Sequence, residues 1–565
     1  MSQNNNSFKI LATLFGISLL VFGVIYGGIT LTGKLGNNTE TMSTERAISR
    51  LDRLCKNITI NTVEPRKEHI NIDPVNLMDT LPDISKYPIQ VKNTTTTYIE
   101  IFSSPEKAGD GKDGWLVEMA KAFNNSNIVI NASNVSVKIR SISSGEGMDY
   151  IVSGKYLPDA FTPSNELWGE MLKSKDANIT LIEKRLVGNI AGVLLSKRKH
   201  KQLTDKYGDI NIRTITEAVA ENELDMGYTN PFASSTGLNY LLSTLSTFDQ
   251  SDILSEKAIQ GFEKFQLNIP FVSYTTLQMR ESARSGILDG FILEYQTFVN
   301  SPELKRDYIF TPFGVRHDSP MYAIGNLSYE KQEILAAFIE FCKSNENQKT
   351  ASEYGFNSFD DYSPEFEYFD GDSISQAQRL WKEKKDSNYD IVAVFVADVS
   401  GSMMGEPLNM LKESLLSASK FIKSDTSIGL VSFGTNVTIN LPIAKFDLNQ
   451  RSLFTGAVKD LTLDGNTAMF DGIIVALRML LEEKEKNPNA KLMLFVLGDG
   501  EPNYGHKFND VSGLLKSLRI PVYTIGYNAN IDELERLSLI NEAAFINADT
   551  EDVAYKLGSL FNAQM

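Results

Sequence analysis

Two periods of hydrophobicity take turns along this chain. Apolar runs of strand length end in polar residues, and stretches with apolar positions at steps of three and four follow them. The alternation is most regular from Tyr389 onward. Runs at Ile391–Ala397, Ser427–Phe433, Leu492–Leu497, Pro521–Ile525 and Ala544–Ile546 predict strands. Leu408, Leu411, Leu415, Ala418 and Ile422 mark one helix face, and Ile473, Ile474, Leu477, Leu480 and Leu481 a second. Val553, Leu557 and Leu560 mark a last helix, behind a start signal at Asp549-Thr550. Strands this apolar are covered on both faces, so the pattern predicts a mostly parallel sheet between helices.

Between Thr97 and Asn347 the same alternation is looser. Strands are predicted at Tyr98–Phe102, Val135–Ile142, Asn189–Ser196, Leu224–Tyr228, Leu288–Leu293 and Met321–Gly325. Helices are predicted at Trp115–Phe123, Leu167–Lys173, Leu238–Leu245 and Lys331–Cys342. Strand after strand ends in Ser, Thr, Asn or Gly before a helix. Each such end alone is an ordinary cap. Together they gather hydroxyls, amides and helix N-terminal N–H groups around one point, a cradle for an anion or small polar ligand.

The ordered segments V-K-I-R-S-I-S-S-G-E-G, P-D-A-F-T-P-S-N-E-L-W, M-G-Y-T-N-P-F-A-S-S-T-G-L-N and G-F-I-L-E-Y resemble the type II solute-binding proteins of bacterial transport systems. The resemblance implies two α/β lobes around a cleft, with crossings near Gly188–Leu195 and Met321–Leu327. It implies cleft residues at Ser103, Ser104, Ser144, Ser164, Asn230, Ser234, Ser235 and Tyr295. These loops lack a clear Arg or Lys, so two readings stand: a small polar solute in the cleft, or a scaffold without one.

The ends and joints of the chain differ from these bodies. No charge interrupts Ile10–Gly33, and Lys9 and Lys34 bracket it. A membrane helix needs about 20 residues, whereas a signal-peptide core has roughly 7–15. A retained anchor over 10–33 is therefore expected, with 1–9 cytoplasmic and a polar linker over 34–96 that has room for a short helix at Arg46–Leu54. Two bodies follow, at 97–347 and 389–565, joined by a connector over 348–388 with a helix near Ile374–Lys385. The net charge of −16 and pI near 5.0 argue against nucleic acid as a partner. Cys55 and Cys342 cannot build a disulfide framework, and the four histidines form no zinc pattern. No G-x-S-x-G elbow or P-loop occurs, and an enzyme is not expected.

The chemistry concentrates at Asp398-Val-Ser400-Gly-Ser402, directly after the Ile391–Ala397 run. One carboxylate beside two hydroxyls is poor equipment for proton transfer but suits a hard divalent cation, Mg²⁺ before Mn²⁺ or Ca²⁺. Two later loops complete the pattern, Asp464-Gly465-Asn466-Thr467 and Gly498-Asp499-Gly500. The three elements in this order resemble the von Willebrand factor A-type domain and its metal-ion-dependent adhesion site. The resemblance implies Ser400, Ser402 and Thr467 as hydroxyl ligands, Asp398 and Asp499 as carboxylates, and a partner protein supplying a further carboxylate. Gly498 departs from the family, which often has Thr there. The expected whole is α/β throughout: a two-lobed periplasmic-binding-protein-like clamshell plus a doubly wound A-type domain, behind an N-terminal transmembrane helix. As a bacterial cell-membrane protein with its bulk extracytoplasmic, it would grip an acidic partner through Mg²⁺. The alternative is a solute-capturing component of a transport or sensing system, docked to membrane machinery by the A-type domain.

Overall fold

The computed structural model describes residues 42–70, 77–269, 271–273, 279, 288–364, 369–385, 389–527, 532–538, 545–547 and 553–564. The expected anchor over 10–33 lies outside the described residues. Among those described, no helix is long and apolar enough to cross a membrane.

The C-terminal domain is built on a seven-stranded sheet. Its order is Ile60–Thr62, Val437–Lys445, Ser427–Phe433, Ile391–Asp398, Lys491–Gly498, Val522–Gly526 and Phe545–Asn547. All pairings are parallel except Val437–Lys445 against Ser427–Phe433. The Ile391–Asp398 strand is central and wholly buried. Successive strand side chains point to opposite faces, and here Val392, Val394 and Val396 enter one core layer while Ala393, Phe395 and Ala397 enter the other. Helices cover both layers, which is why this strand is apolar at every position until Asp398.

The expected linker over 34–96 is corrected by the structure. Thr44–Cys55 is a helix started by Ser43, whose hydroxyl accepts from Arg46 N. Its Ala47 and Leu51 are fully buried in the C-terminal domain's core. Ile60–Thr62 then adds the edge strand, and Ile89–Val91 pairs with the other domain's Ser133–Ser141. The described elements of this stretch belong to both bodies rather than spacing them.

The preceding domain has two sheets, one per lobe. The first runs Ile89–Val91, Ser133–Ser141, Thr97–Ser103, Ala160–Thr162, Met321–Ile324 and Ile179–Glu183. The second runs Phe271–Ser273, Met226–Thr229, Gly290–Glu294, Ile190–Ser196 and Tyr308–Arg316. The chain crosses between them at 184–189 and returns at 317–320. The connector is also more than a joint. Asn345–Glu353 is a helix of the first lobe's side, and Gly371–Lys384 is a strap that packs on helices of both lobes, Leu167–Ser174 and Ser235–Phe248. Its Ile374, Ala377 and Trp381 are fully buried in one core with residues of both lobes.

The last helix, Val553–Gln564, ties the two domains together. Leu557 and Phe561 fill the C-terminal domain's core, while Tyr555 is buried in the two-lobed domain's core. Lys556 donates to Glu146 at 2.8 Å. Burial raises the Glu146 carboxyl, but the Lys556 ammonium and the Ser143 hydroxyl outweigh it and hold the group below its usual 4.5. A depressed carboxylate stabilises the fold above its unfolded pKa, and that contribution is lost as pH falls through the folded one. Asp149, one turn on, is pushed up to about 7 by burial and by Glu146, so the comparison is made below about pH 6. Wild type should melt above Glu146→Gln there, by roughly 3 kcal/mol or more for a broken buried pair. The gap should close as acid protonates Glu146; melts recorded from about pH 6 down to about pH 3 check this.

Candidate metal centre

Asp398 ends the central strand at the sheet's carboxyl edge, where α/β folds present their ligand loops. Four loops are knitted around it by backbone bonds. Asp464 N donates to Val399 O at 2.6 Å, Gly401 N to Gly465 O at 2.8 Å, and Thr435 N to Asp464 O at 3.0 Å. Thr467 N donates to Asn503 Oδ1 at 2.9 Å, and Asn503 N returns to Thr467 O at 3.2 Å. The loops are therefore fixed before any ligand arrives. Asp398 Oδ1 accepts from Ser400 N at 2.8 Å, and Ser400 Oγ lies 3.0 Å from Ser402 Oγ. Asp499 Oδ1 accepts from Glu501 N at 3.3 Å. Asp398, Ser400, Thr467 and Asp499 are buried, and Ser402 is exposed, so the group opens to solvent on one side.

One atom is left over. Asp398 Oδ2 is buried without a hydrogen-bond partner. Burial pushes this carboxyl up to about 7 against the pull of Ser400, and the nearby Asp499 charge adds to it. A buried carboxylate oxygen without a donor is costly, and such atoms have a reason. A Cβ on Gly498 would sit 2.6 Å from Asp398 Oδ2. The absence of a side chain at 498 leaves room for that buried oxygen.

The second candidate site lies between the lobes. A cavity of about 50 Å³ is lined by Ser104, Ser144 and Ser164 from one lobe and Ser234, Ser235 and Glu294 from the other. Three expected cleft residues lie elsewhere. Ser103 turns to Ser104 O at 3.4 Å. Asn230 shapes a turn by accepting from Phe232 N at 2.8 Å. Tyr295 packs in an aromatic group with Phe298, Phe310 and Phe359. Adjacent residues at a strand end face opposite ways, so Glu294 takes the cleft and Tyr295 the back.

Two known families match parts of this chain. The bacterial extracellular solute-binding protein family matches residues 108–357, and the von Willebrand factor type A family matches residues 390–562. The chain carries one domain of each family. Inter-alpha-trypsin inhibitor heavy chain H1 of Mesocricetus auratus is 31% identical over 163 residues, 26% of this chain and 17% of the relative. Heavy chain H3 of the same animal is 27% identical over 161 residues, 26% of this chain and 18% of the relative. The chain thus spans less than a fifth of these relatives. Iron-bound HitA from Pseudomonas aeruginosa aligns with 51% of this chain and 99% of its own at 11% identity and TM-score 0.38. A von Willebrand factor type A structure from Catenulispora acidiphila aligns with 31% and 42% at 19% identity and TM-score 0.28.

The A-type domain brings all five expected ligands to one edge. They offer two carboxylates and three hydroxyls, hard oxygens without sulfur or nitrogen, which fits Mg²⁺. The unpartnered Asp398 Oδ2 is an observation, separate from the family match, that fits a cation at this edge. Among the described residues no three His, Cys, Asp or Glu converge to offer another kind of metal site. Asp471 starts the Met469–Lys486 helix, as its position in the sequence suggests, and binds His506 Nδ1 at 2.6 Å. Beside it a pocket of about 350 Å³ opens, walled in part by Tyr504, Lys507, Phe508 and Arg536. In the solute-binding domain, sequence reasoning missed four buried residues. Glu106 and Lys107 sit beside the cleft serines, and Glu294 accepts from or donates to His317 Nδ1 across 2.8 Å. The expectation that these loops lack a cation is corrected by Lys107.

Proposed function

We propose that this chain is a binding protein whose A-type domain holds Mg²⁺ and grips an acidic partner through it. The observation that carries the reading is the buried, unpartnered Asp398 Oδ2 amid Ser400, Ser402, Thr467 and Asp499. Asp398 and Asp499 would hold the ion with the three hydroxyls, directly or through waters. The bound ion would supply a Lewis-acidic position for a carboxylate from outside. This chain's own residues do the rest: the knitted loops fix the ligands, and exposed Ser402 marks the open side. Lys507 and Arg536 in the neighbouring pocket would favour an acidic segment around that carboxylate. We place the protein at a bacterial membrane through its 10–33 segment, with the bulk outside the cytoplasm, in keeping with its solute-binding domain. It acts by binding rather than catalysis. The test is whether Mn²⁺ held at this site gives up water to an added carboxylate.

A further inference from the structure

We infer that Glu106 stands in for the ligand of the solute-binding domain, so that the lobes close on the chain's own carboxylate instead of a captured solute. This rests on the cleft alone and is independent of the metal reading. Glu106 Oε1 accepts from Ser104 Oγ at 2.5 Å, Ser164 Oγ at 2.9 Å and Lys107 Nζ at 3.1 Å. Lys107 is completely buried, also reaches Ser104 Oγ, and lies 3.4 Å from Pro163 O. Two hydroxyls and an ammonium converging at strand ends make a charge-assisted seat for a small anion. The carboxylate in that seat belongs to the chain. Burial raises this carboxyl, but Lys107, Ser104 and Ser164 together hold it below its usual value, while burial lowers the Lys107 amine against the pull of Glu106.

The rest of the cleft is finished in the same way. Glu294 faces Glu106 from the opposite lobe and is fixed by His317 at 2.8 Å and Thr236 at 3.2 Å. Burial and the Glu106 charge raise the Glu294 carboxyl, so this side of the cleft offers an incoming anion no cation. The lobes bond each other directly: Ser235 Oγ to Ser144 Oγ at 3.0 Å, Trp168 Nε1 to Ser235 Oγ at 2.8 Å, and Gly145 N to Ala233 O at 3.3 Å. A Cβ on Gly145 would lie 2.0 Å from Phe232 O, so the backbones are already in contact. The Gly371–Lys384 strap fastens the second lobe through Gln378 Nε2 to Pro231 O at 2.8 Å. What remains is about 50 Å³, room for water rather than for a solute, whose pockets are typically about 300–1,000 Å³.

The experiment is thermal melting of the full chain and of Glu106→Ala, in acetate, formate, phosphate or sulfate against sodium chloride of equal ionic strength. Glu106→Ala strands the Lys107 ammonium and opens space the size of a small carboxylate. It should melt several degrees below wild type, and acetate or formate should restore at least half of that loss, because only the vacated seat binds them. Wild type should shift by less than about one degree with any of the four anions. Equal shifts in both proteins, an undiminished melt for Glu106→Ala, or a clear rise of wild type with one anion would overturn the proposal. If Glu106→Ala does not accumulate, the double variant Glu106→Ala/Lys107→Met decides. A cooperative melt for the double variant supports the seat as a matched charge pair, and a double variant that also fails to fold overturns it.

Discussion

Asp398→Ala is expected to abolish the rise in melting temperature that Mg²⁺ gives the wild-type chain, while leaving the metal-free protein as stable as wild type or more so. The two halves have one cause. Without a cation, Asp398 is a fully buried carboxyl with one oxygen unpartnered, a burden of about 1–3 kcal/mol. Alanine removes that burden and also the 2.8 Å bond from Ser400 N, and the two losses offset each other. With a cation present, the same oxygen becomes a ligand. Loss of a ligand outweighs loss of an outer-shell group, which alone costs roughly 10–100-fold in metal affinity. Mg²⁺ affinity should therefore fall at least about 100-fold. Melts of both proteins with Mg²⁺ and with EDTA check it. An Asp398→Ala protein that Mg²⁺ still stabilises as wild type would place the ion elsewhere.

Trp381→Ala should destabilise the two-lobed domain by about 3–5 kcal/mol, the usual cost of truncating a large buried aromatic. Trp381 is fully buried, stacks at a tilt 5.9 Å from Phe232, and donates through Nε1 to Tyr228 OH at 2.5 Å. It lies in the strap, yet its partners belong to the second lobe, so the residue connects a segment expected as a connector to the domain's core. Urea unfolding followed by far-ultraviolet circular dichroism measures the loss. A change below about 1 kcal/mol would mean that the strap lies on the surface of the domain rather than within it.

How much of this could be read from the chain depended on burial. Ser427–Phe433 was legible end for end because the strand is buried almost throughout and carries Ile428, Leu430, Val431 and Phe433. Its neighbour Val437–Lys445 was not, because an antiparallel strand near the sheet edge is half exposed and carries Pro442. Thr44–Cys55 was legible as a short helix but not as part of a core, because only Ala47 and Leu51 of its twelve residues are buried. The candidate metal centre was legible because three loops carry its expected ligands in fixed order. The cleft was legible in its serines, which cap helices, but not in its charges. Glu106 and Lys107 follow Pro105 in a short turn of helix, and charged residues outside the serine pattern read as surface. The usable signal was a Glu-Lys pair placed directly after a strand end that is otherwise all hydroxyls. Glu294 was passed over for Tyr295 by one residue, and strand alternation sends those two to opposite sides.

A divalent ion held by Asp398, Ser400, Ser402, Thr467 and Asp499 would keep one position open to a partner's carboxylate. Water-proton relaxation of Mn²⁺ bound to the full chain tests it most directly. One Mn²⁺ per chain should bind with enhanced relaxation, and added acetate should lower that enhancement as a carboxylate displaces water from the ion. Asp398→Ala should show no such bound Mn²⁺. Failure of wild type to bind Mn²⁺ stoichiometrically, or a bound ion whose relaxation is indifferent to carboxylate, would contradict the account.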